Sequence, residues 1–263
     1  MNVLNSLRPP SDLRVLVTAG ASGIGAAIAR AFREAGARVH VCDIDPRAIA
    51  RLTQELPGVT ASVADAAVAG DVDLVFNDVT ATLGGLDVLV NNAGVAGPTG
   101  PVDQIEPHDW ERTVTVNLNS QYYFVRRAVP LLRKSKANPC VVAMSSVAGR
   151  LGYGLRTPYA STKWAIVGLV KSLAIELGPL GVRVNAILPG TVEGERMNKV
   201  MAARAAAAGV GFEEMRKQYL DKISLRRMVT SDDVAAMTLF LCSPGARNVT
   251  GQAISVDGNI EYL

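Results

Sequence analysis

The chain has 263 residues, 49% of them hydrophobic and 19% charged, with a formal net charge of +3. That length and balance suit one α/β domain with a large core, and with no lysine/arginine run beyond a pair there is no footprint for nucleic acid or an anionic membrane surface. The start is not a signal peptide, and no run of about 18 apolar residues marks a membrane span, so a cytoplasmic address is expected.

In chain order, residues 1–12 carry a Pro-Pro pair and read as a loose arm. Arg14–Thr18 is a short apolar run bounded by a turn, the pattern of a buried parallel strand. Ala19-Gly20-Ala21-Ser22-Gly23-Ile24-Gly25 follows and opens a helix with Ile24, Ile28, Ala31 and Ala35 at helical spacing. A glycine-rich turn between strand and helix lets the backbone approach a pyrophosphate and aims N–H groups and the helix dipole at it, so Gly20, Ser22, Gly23, Ile24 and Gly25 are the candidate phosphate cradle. The next apolar run, 39–42, ends at Asp43, about 20 residues past the glycines, where a carboxylate accepts the adenosine ribose hydroxyls. An acid there repels a 2′-phosphate, and Ile44 and Asp45 rather than a basic residue come next, so the expected cofactor is NAD.

Further strands are expected at Thr60–Val63, 87–90, Cys140–Met144, 183–188 and Ala253–Val256. Helices are expected at 46–56, 72–83, 108–132, 158–177 and 232–242, the last opened by a capping box, Thr230-Ser231-Asp232-Asp233. This alternation predicts an α/β fold with a Rossmann-type doubly wound, mostly parallel seven-stranded sheet flanked by helices on both faces, forming a single domain over 1–263. The three cysteines, Cys42, Cys140 and Cys242, lie far apart without metal-type spacing and read as buried small hydrophobes in a reducing compartment. The two histidines have no companion ligand, so no catalytic metal is expected.

The chemistry-bearing stretch runs from Ser146 to Tyr159-Ala160-Ser161-Thr162-Lys163. A phenol is a poor base at neutral pH, but on a helix Lys163 lies one turn beyond Tyr159 on the same face, where its cation favours the phenolate. The result is a proton acceptor suited to a hydroxyl whose carbon loses hydride.

Taken together, the glycine loop, Asn91-Asn92-Ala93-Gly94, Asn117, Ser146, Tyr159 with Lys163, Pro189-Gly190 and Ser255-Val256-Asp257-Gly258 resemble the ordered motifs of the short-chain dehydrogenase/reductase family, from about Arg14 to the C-terminus. The resemblance implies that Tyr159 is the general acid/base. Lys163 would hold the nicotinamide ribose, Ser146 would orient the substrate oxygen, and Asn117 would hold a water linking Lys163 to solvent. It also implies cofactor contacts at Asp65, to the adenine amino group, at Asn91, Ala93 and Gly94 where the fourth strand closes, and at Pro189, Gly190 and the backbone of Val192. Two positions depart from the family pattern: Ala19 stands where the glycine motif begins, and Gly194 stands where a threonine often touches the carboxamide.

The segment 193–228 carries helix signals at Glu195–Ala208 and 212–223 and reads as a substrate lid, or alternatively as an oligomer-contact arm, with glycines as hinges. Tyr153, Arg156 and Arg196 are the candidate substrate readers beside Ser146 and Tyr159. The family resemblance implies a homotetramer built on 108–132 and 158–177, with the C-terminal strand at a second interface; the apolar ending from Asn259 fits a tail tucked into a neighbour, with a loose terminus as the alternative.

The expected function is NAD-dependent interconversion of a secondary alcohol (sugar, polyol or hydroxy acid) and its ketone. The alternatives are a 3-oxoacyl thioester reductase of the same family and a non-catalytic NAD-binding sensor or scaffold.

Overall fold

The computed structural model describes residues 3–262 of the chain. Seven strands form one sheet: β1 (Arg14–Thr18), β2 (Arg38–Asp43), β3 (Thr60–Val63), β4 (Val88–Asn91), β5 (Cys140–Met144), β6 (Arg183–Pro189) and β7 (Ala253–Val256). They lie in the order β3-β2-β1-β4-β5-β6-β7, and every neighbouring pair is parallel. The helices are α1 (Val3–Ser6), α2 (Gly23–Glu34), α3 (Pro46–Glu55), α4 (Ala69–Leu83), α5 (Pro107–Val114), α6 (Ser120–Leu132), α7 (Thr157–Leu177), α8 (Glu195–Ala208), α9 (Phe212–Asp221) and α10 (Ser231–Leu241).

A parallel sheet covered on both faces needs apolar central strands, and β1, β4 and β5 are buried almost throughout, while the edge strands β3 and β7 are partly exposed. In β1, Val15 and Val17 enter the core under α2, α3 and α10, while Leu16 enters the opposite core under α4, α6 and α7. β4 repeats the division, with Val88 and Val90 on the first face and Leu89 on the second. The chain winds outward from β1 to β3, then returns to lay β4 on the other side of β1. The loops that leave the carboxyl ends of β1 and β4 therefore diverge, which opens a crevice at that switch point.

Three expectations change in detail. The helix expected over 108–132 is α5, a π-helical turn at Thr115–Asn119, and α6. The Asn117 side chain reaches out of that wide turn to Val95, so the break has a local reason. In the N-terminal arm, Val3–Ser6 forms one helical turn beside the 244–246 segment. Although far apart in sequence, Cys140 and Cys242 bring their sulfurs to 3.3 Å, and all three cysteines are buried and free. At the chain's end, Ile260 packs within the chain itself, while Tyr262 is exposed. Ile260 is buried, pairs with Ile223, and has its carbonyl bonded by Arg150, which also holds Asp257 at 2.9 Å; Leu263 lies outside the described residues.

Candidate active site

The glycine loop packs as tightly as its composition suggests. A methyl on Gly20 would meet Val41 of β2 at 2.7 Å, and one on Gly25 would run into the Ala19 carbonyl and the Asn92 amide, so both positions exclude any side chain. Gly23, at φ +52°, faces open space. Ala19 takes φ +47°, a left-handed conformation that glycine adopts without strain and alanine adopts at a cost of about 1–2 kcal/mol. At the N-terminus of α2, Ser22 places no side-chain hydrogen bond on the first turn, which leaves backbone N–H groups for an anion. These features fit the diphosphate of a dinucleotide.

Behind this loop, Asn92 donates its amide to the carbonyls of Thr18 and Ala19, both at 3.0 Å, and Thr18 Oγ1 accepts from the backbone N–H of Asn92 and Ala93. Sequence reasoning missed Asn92 and Thr18 as supports. The neighbouring Asn91 turns its side chain inward, donating to Gln121 O at 3.1 Å, so its side chain faces away from the crevice. Asp43, buried at the end of β2, accepts from the backbone N–H of Ala21 at 3.0 Å and of Asp45 at 3.2 Å, fastening β2 to the loop. Asp65 accepts from Ala67 N in a tight turn after β3.

Proline 158 sits in the first turn of α7, which presents Tyr159 and Lys163 one turn apart. The Lys163 Nζ is buried, lies 5.6 Å from the Tyr159 ring centroid, and donates to Met144 O at 2.9 Å. Burial, and after it the charge of Arg196, pushes Lys163 down to about 7. Ser146 follows β5 and its Oγ accepts from Ala148 N at 3.2 Å, while Ser145 donates to Lys163 O at 2.8 Å and so ties β5 to α7. Asn117 accepts from Val95 N at 2.7 Å and donates to Val95 O and to Thr162, each at 3.1 Å. Its side chain is thus spent on clamping the loop after β4.

Past β6, Val192 bridges Val229, with Thr191 O accepting from Val229 N and Glu193 N donating to Val229 O. In a parallel bridge this turns the N–H and C=O of Val192 itself away from Val229. Gly194 takes φ +134°, a conformation closed to the threonine common there. The ends of the 193–228 segment are held together in this way, while α8 and α9 build a small core of their own around Met201, Met215 and Tyr219. Arg196 of α8 reaches across to donate to Gly94 O at 3.2 Å.

The result is a cleft of about 830 Å³. Of the residues singled out from sequence, Ser22, Gly23, Ile24, Gly94, Ser146, Tyr153, Arg156, Tyr159, Lys163, Pro189, Gly190, Val192 and Arg196 line it. Gly20, Gly25, Asn91, Ala93 and Asn117 stand behind the lining, and Asp43 and Asp65 lie outside it toward β2 and β3. Lining residues that sequence reasoning missed include Met144, Lys199 and Tyr219; Tyr219 came from far along the chain, and only its hydroxyl contact with Tyr153 at 2.7 Å reveals it.

The sequence model of a family described as Enoyl-(Acyl carrier protein) reductase matches residues 18–259. The short chain dehydrogenase/reductase dpchG of Colletotrichum higginsianum is 36% identical over 92% of this chain and 91% of its own. The L-fucose dehydrogenase of Bos taurus is 34% identical over 94% of this chain and 88% of its own. Among solved structures, a 3-ketoacyl-(acyl-carrier-protein) reductase from Brucella melitensis complexed with NADH superposes with a TM-score of 0.85 at 31% identity, covering 95% of this chain and 98% of that one. The chain belongs to the short-chain dehydrogenase/reductase family, oxidoreductases that act on CH–OH groups with a nicotinamide cofactor. Among the described residues no helix is long and apolar enough to cross a membrane.

Proposed function

We propose that the chain is an NAD-dependent oxidoreductase that interconverts a secondary alcohol, of the sugar, polyol or hydroxy-acid type, and its ketone. The observation that carries this reading is the buried Lys163 ammonium, held by Met144 O beside Tyr159 in a cleft floored by the glycine loop. In oxidation, Tyr159 takes the carbinol proton while Ser146 Oγ donates to the oxygen and fixes its direction. The nicotinamide, when bound, accepts the hydride that leaves the carbinol carbon. Lys163 holds the ribose hydroxyls, and in its protonated form its charge favours the phenolate. Asn117, by clamping Val95, fixes the wall opposite α7 and leaves its backbone to order a water on the proton route.

The phosphates belong to the first turn of α2 with Gly20, Ser22, Gly23, Ile24 and Gly25, and the adenosine end to Asp43 and Asp65. Pro189, Gly190 and Val192, with Ala93 and Gly94 across the cleft, frame the nicotinamide end. Segment 193–228 serves as the lid that excludes water. A cytoplasmic homotetramer completes the reading, supported by exposed Tyr122, Trp164 and Ile175 on α6 and α7, by β7 at the sheet edge, and by free thiols.

Relatives named L-fucose dehydrogenase, galactitol 2-dehydrogenase and probable galactose dehydrogenase, at 32–35% identity, favour the sugar and polyol side. A second reading, reduction of a 3-oxoacyl thioester, is favoured by the Brucella structure and by a putative ketoacyl reductase relative at 33% identity. Asp43 weighs against it, since a carboxylate at the ribose disfavours the phosphorylated cofactor on which reductive biosynthesis draws.

Oxidation of sugars, polyols, hydroxy acids and simple secondary alcohols, each assayed with NAD and with NADP, tests the proposal. Turnover is expected with NAD, and Asp43→Ala should weaken NAD and relieve discrimination against NADP. Unchanged NAD affinity in that variant would place the ribose elsewhere.

A further inference from the structure

Arg156 precedes α7, is only 2% exposed, and still lines the cleft. Its guanidinium lies 5.2 Å from the Tyr159 ring centroid and 5.4 Å from that of Tyr153, and Nη2 donates to Ala96 O at 2.6 Å. Nε is buried without an acceptor, and no Asp or Glu among the described residues forms an ion pair with it. A buried guanidinium whose oxygen partner is a single neutral carbonyl is costly, because the desolvated charge lacks a counter-ion.

The cleft does not supply that counter-ion. Arg156, Lys163, Arg196 and Lys199 line it against Glu193 and Glu195, and Glu195 is bonded to Lys199 at 2.6 Å. Glu193 is solvent-exposed. The hydroxyl pair of Tyr153 and Tyr219 closes one side of this corner with neutral oxygens, and burial pushes the Tyr219 hydroxyl above its ordinary range. The corner beside the proposed proton acceptor is thus short of one negative charge, and a planar guanidinium is suited to a carboxylate.

We propose that Arg156 receives the carboxylate of the substrate, so that the alcohol oxidised is a short 2- or 3-hydroxy acid and the product its keto acid. The proposal rests on the dehydrogenase reading above and selects among its substrate classes. The closeness of the guanidinium to the Tyr159 ring puts carboxylate and carbinol on a short spacer. The carboxylate is a handle: it takes no part in bond making, and the carbinol proton and hydride leave as already described.

The test compares kcat/KM, with NAD saturating, for 2- and 3-hydroxy acids against the corresponding hydroxy amides, which keep the shape and lose the charge. The wild-type enzyme should prefer the acids by about 100-fold or more. Arg156→Gln should collapse that ratio mainly through KM, and Arg156→Lys should restore part of it as a point charge. Thermal melting shows whether these variants fold, and the wild-type ratio stands without them. A separate arm follows quenching of bound NADH fluorescence by keto acids, with Arg156→Gln expected to abolish it.

A wild-type ratio near one, or a ratio that Arg156→Gln leaves unchanged, overturns the proposal. The two readings fail differently. Keto-acid binding that depends on Arg156, with no turnover of any alcohol, keeps the carboxylate site and removes the dehydrogenase. Tyr159-dependent oxidation of neutral polyols without preference for acids does the reverse.

Discussion

Lys163 sits in the cleft at the expense of stability. Its folded value of about 7 lies below the ordinary 10.5, through burial first and Arg196 second. Between those values the unfolded chain binds the proton that the folded chain has released, so this residue makes stability rise with pH over that window. Below about 7 the penalty is fully present. Lys163→Met removes the charge, and relative to wild type the cofactor-free variant should gain up to about 1–4 kcal/mol at pH 6, with a smaller gain at pH 10. Denaturant titrations at the two pH values check this, and turnover should be lost. A variant whose difference from wild type does not change with pH would contradict the assigned burial. Legibility at this scale followed sequence distance. Ser146, Tyr159 and Lys163 carry their signal within one short stretch. The amide of Asn92 on the carbonyls of Thr18 and Ala19, and the salt bridge of Arg14 to Asp87 at 2.7 Å, join residues more than seventy positions apart, and no local pattern announces them.

Elements were the most legible scale where local chemistry sets their ends. The capping box expected at α10 is present: Thr230 Oγ1 accepts from Asp233 N at 3.1 Å, and Asp233 Oδ2 accepts from Thr230 N at 2.8 Å. Because Ser231, the first residue of α10, lines the cleft, this cap also positions a piece of the site. Thr230→Ala should cost about 1–2 kcal/mol by urea titration, and an unchanged midpoint would mean the cap is replaced by solvent at no cost. β1, β3, β5 and β7 run as expected, and β1 and β5 do so as short apolar runs closed by turn residues. The π turn at Thr115–Asn119 was not legible. It accompanies the contact of Asn117 with Val95, twenty-two residues away, whereas the sequence there is a continuous helical pattern.

At the scale of the molecule, the outward and return windings from β1 determine where a ligand can bind, and the glycine loop, Ser146, Tyr159 and Pro189-Gly190 converge on that crevice because they lie at the carboxyl end of a strand or near the start of a helix. The substrate end was less legible. Its wall comes from α8 and α9, whose packing on each other around Met201 and Tyr219 has no motif, and the lack of a counter-ion at Arg156 emerges only once burial is known. The cysteine pair and the inward-packed tail are likewise products of the closed fold.

The account as a whole depends on Tyr159 moving the proton. The most direct measurement is steady-state NAD-linked turnover of the best substrate by Tyr159→Phe beside wild type, with NAD binding followed by calorimetry on both. Loss of the phenol should lower kcat by about 10²–10⁴-fold while NAD binding is largely retained. Turnover near the wild-type rate in a variant that still binds NAD would contradict it.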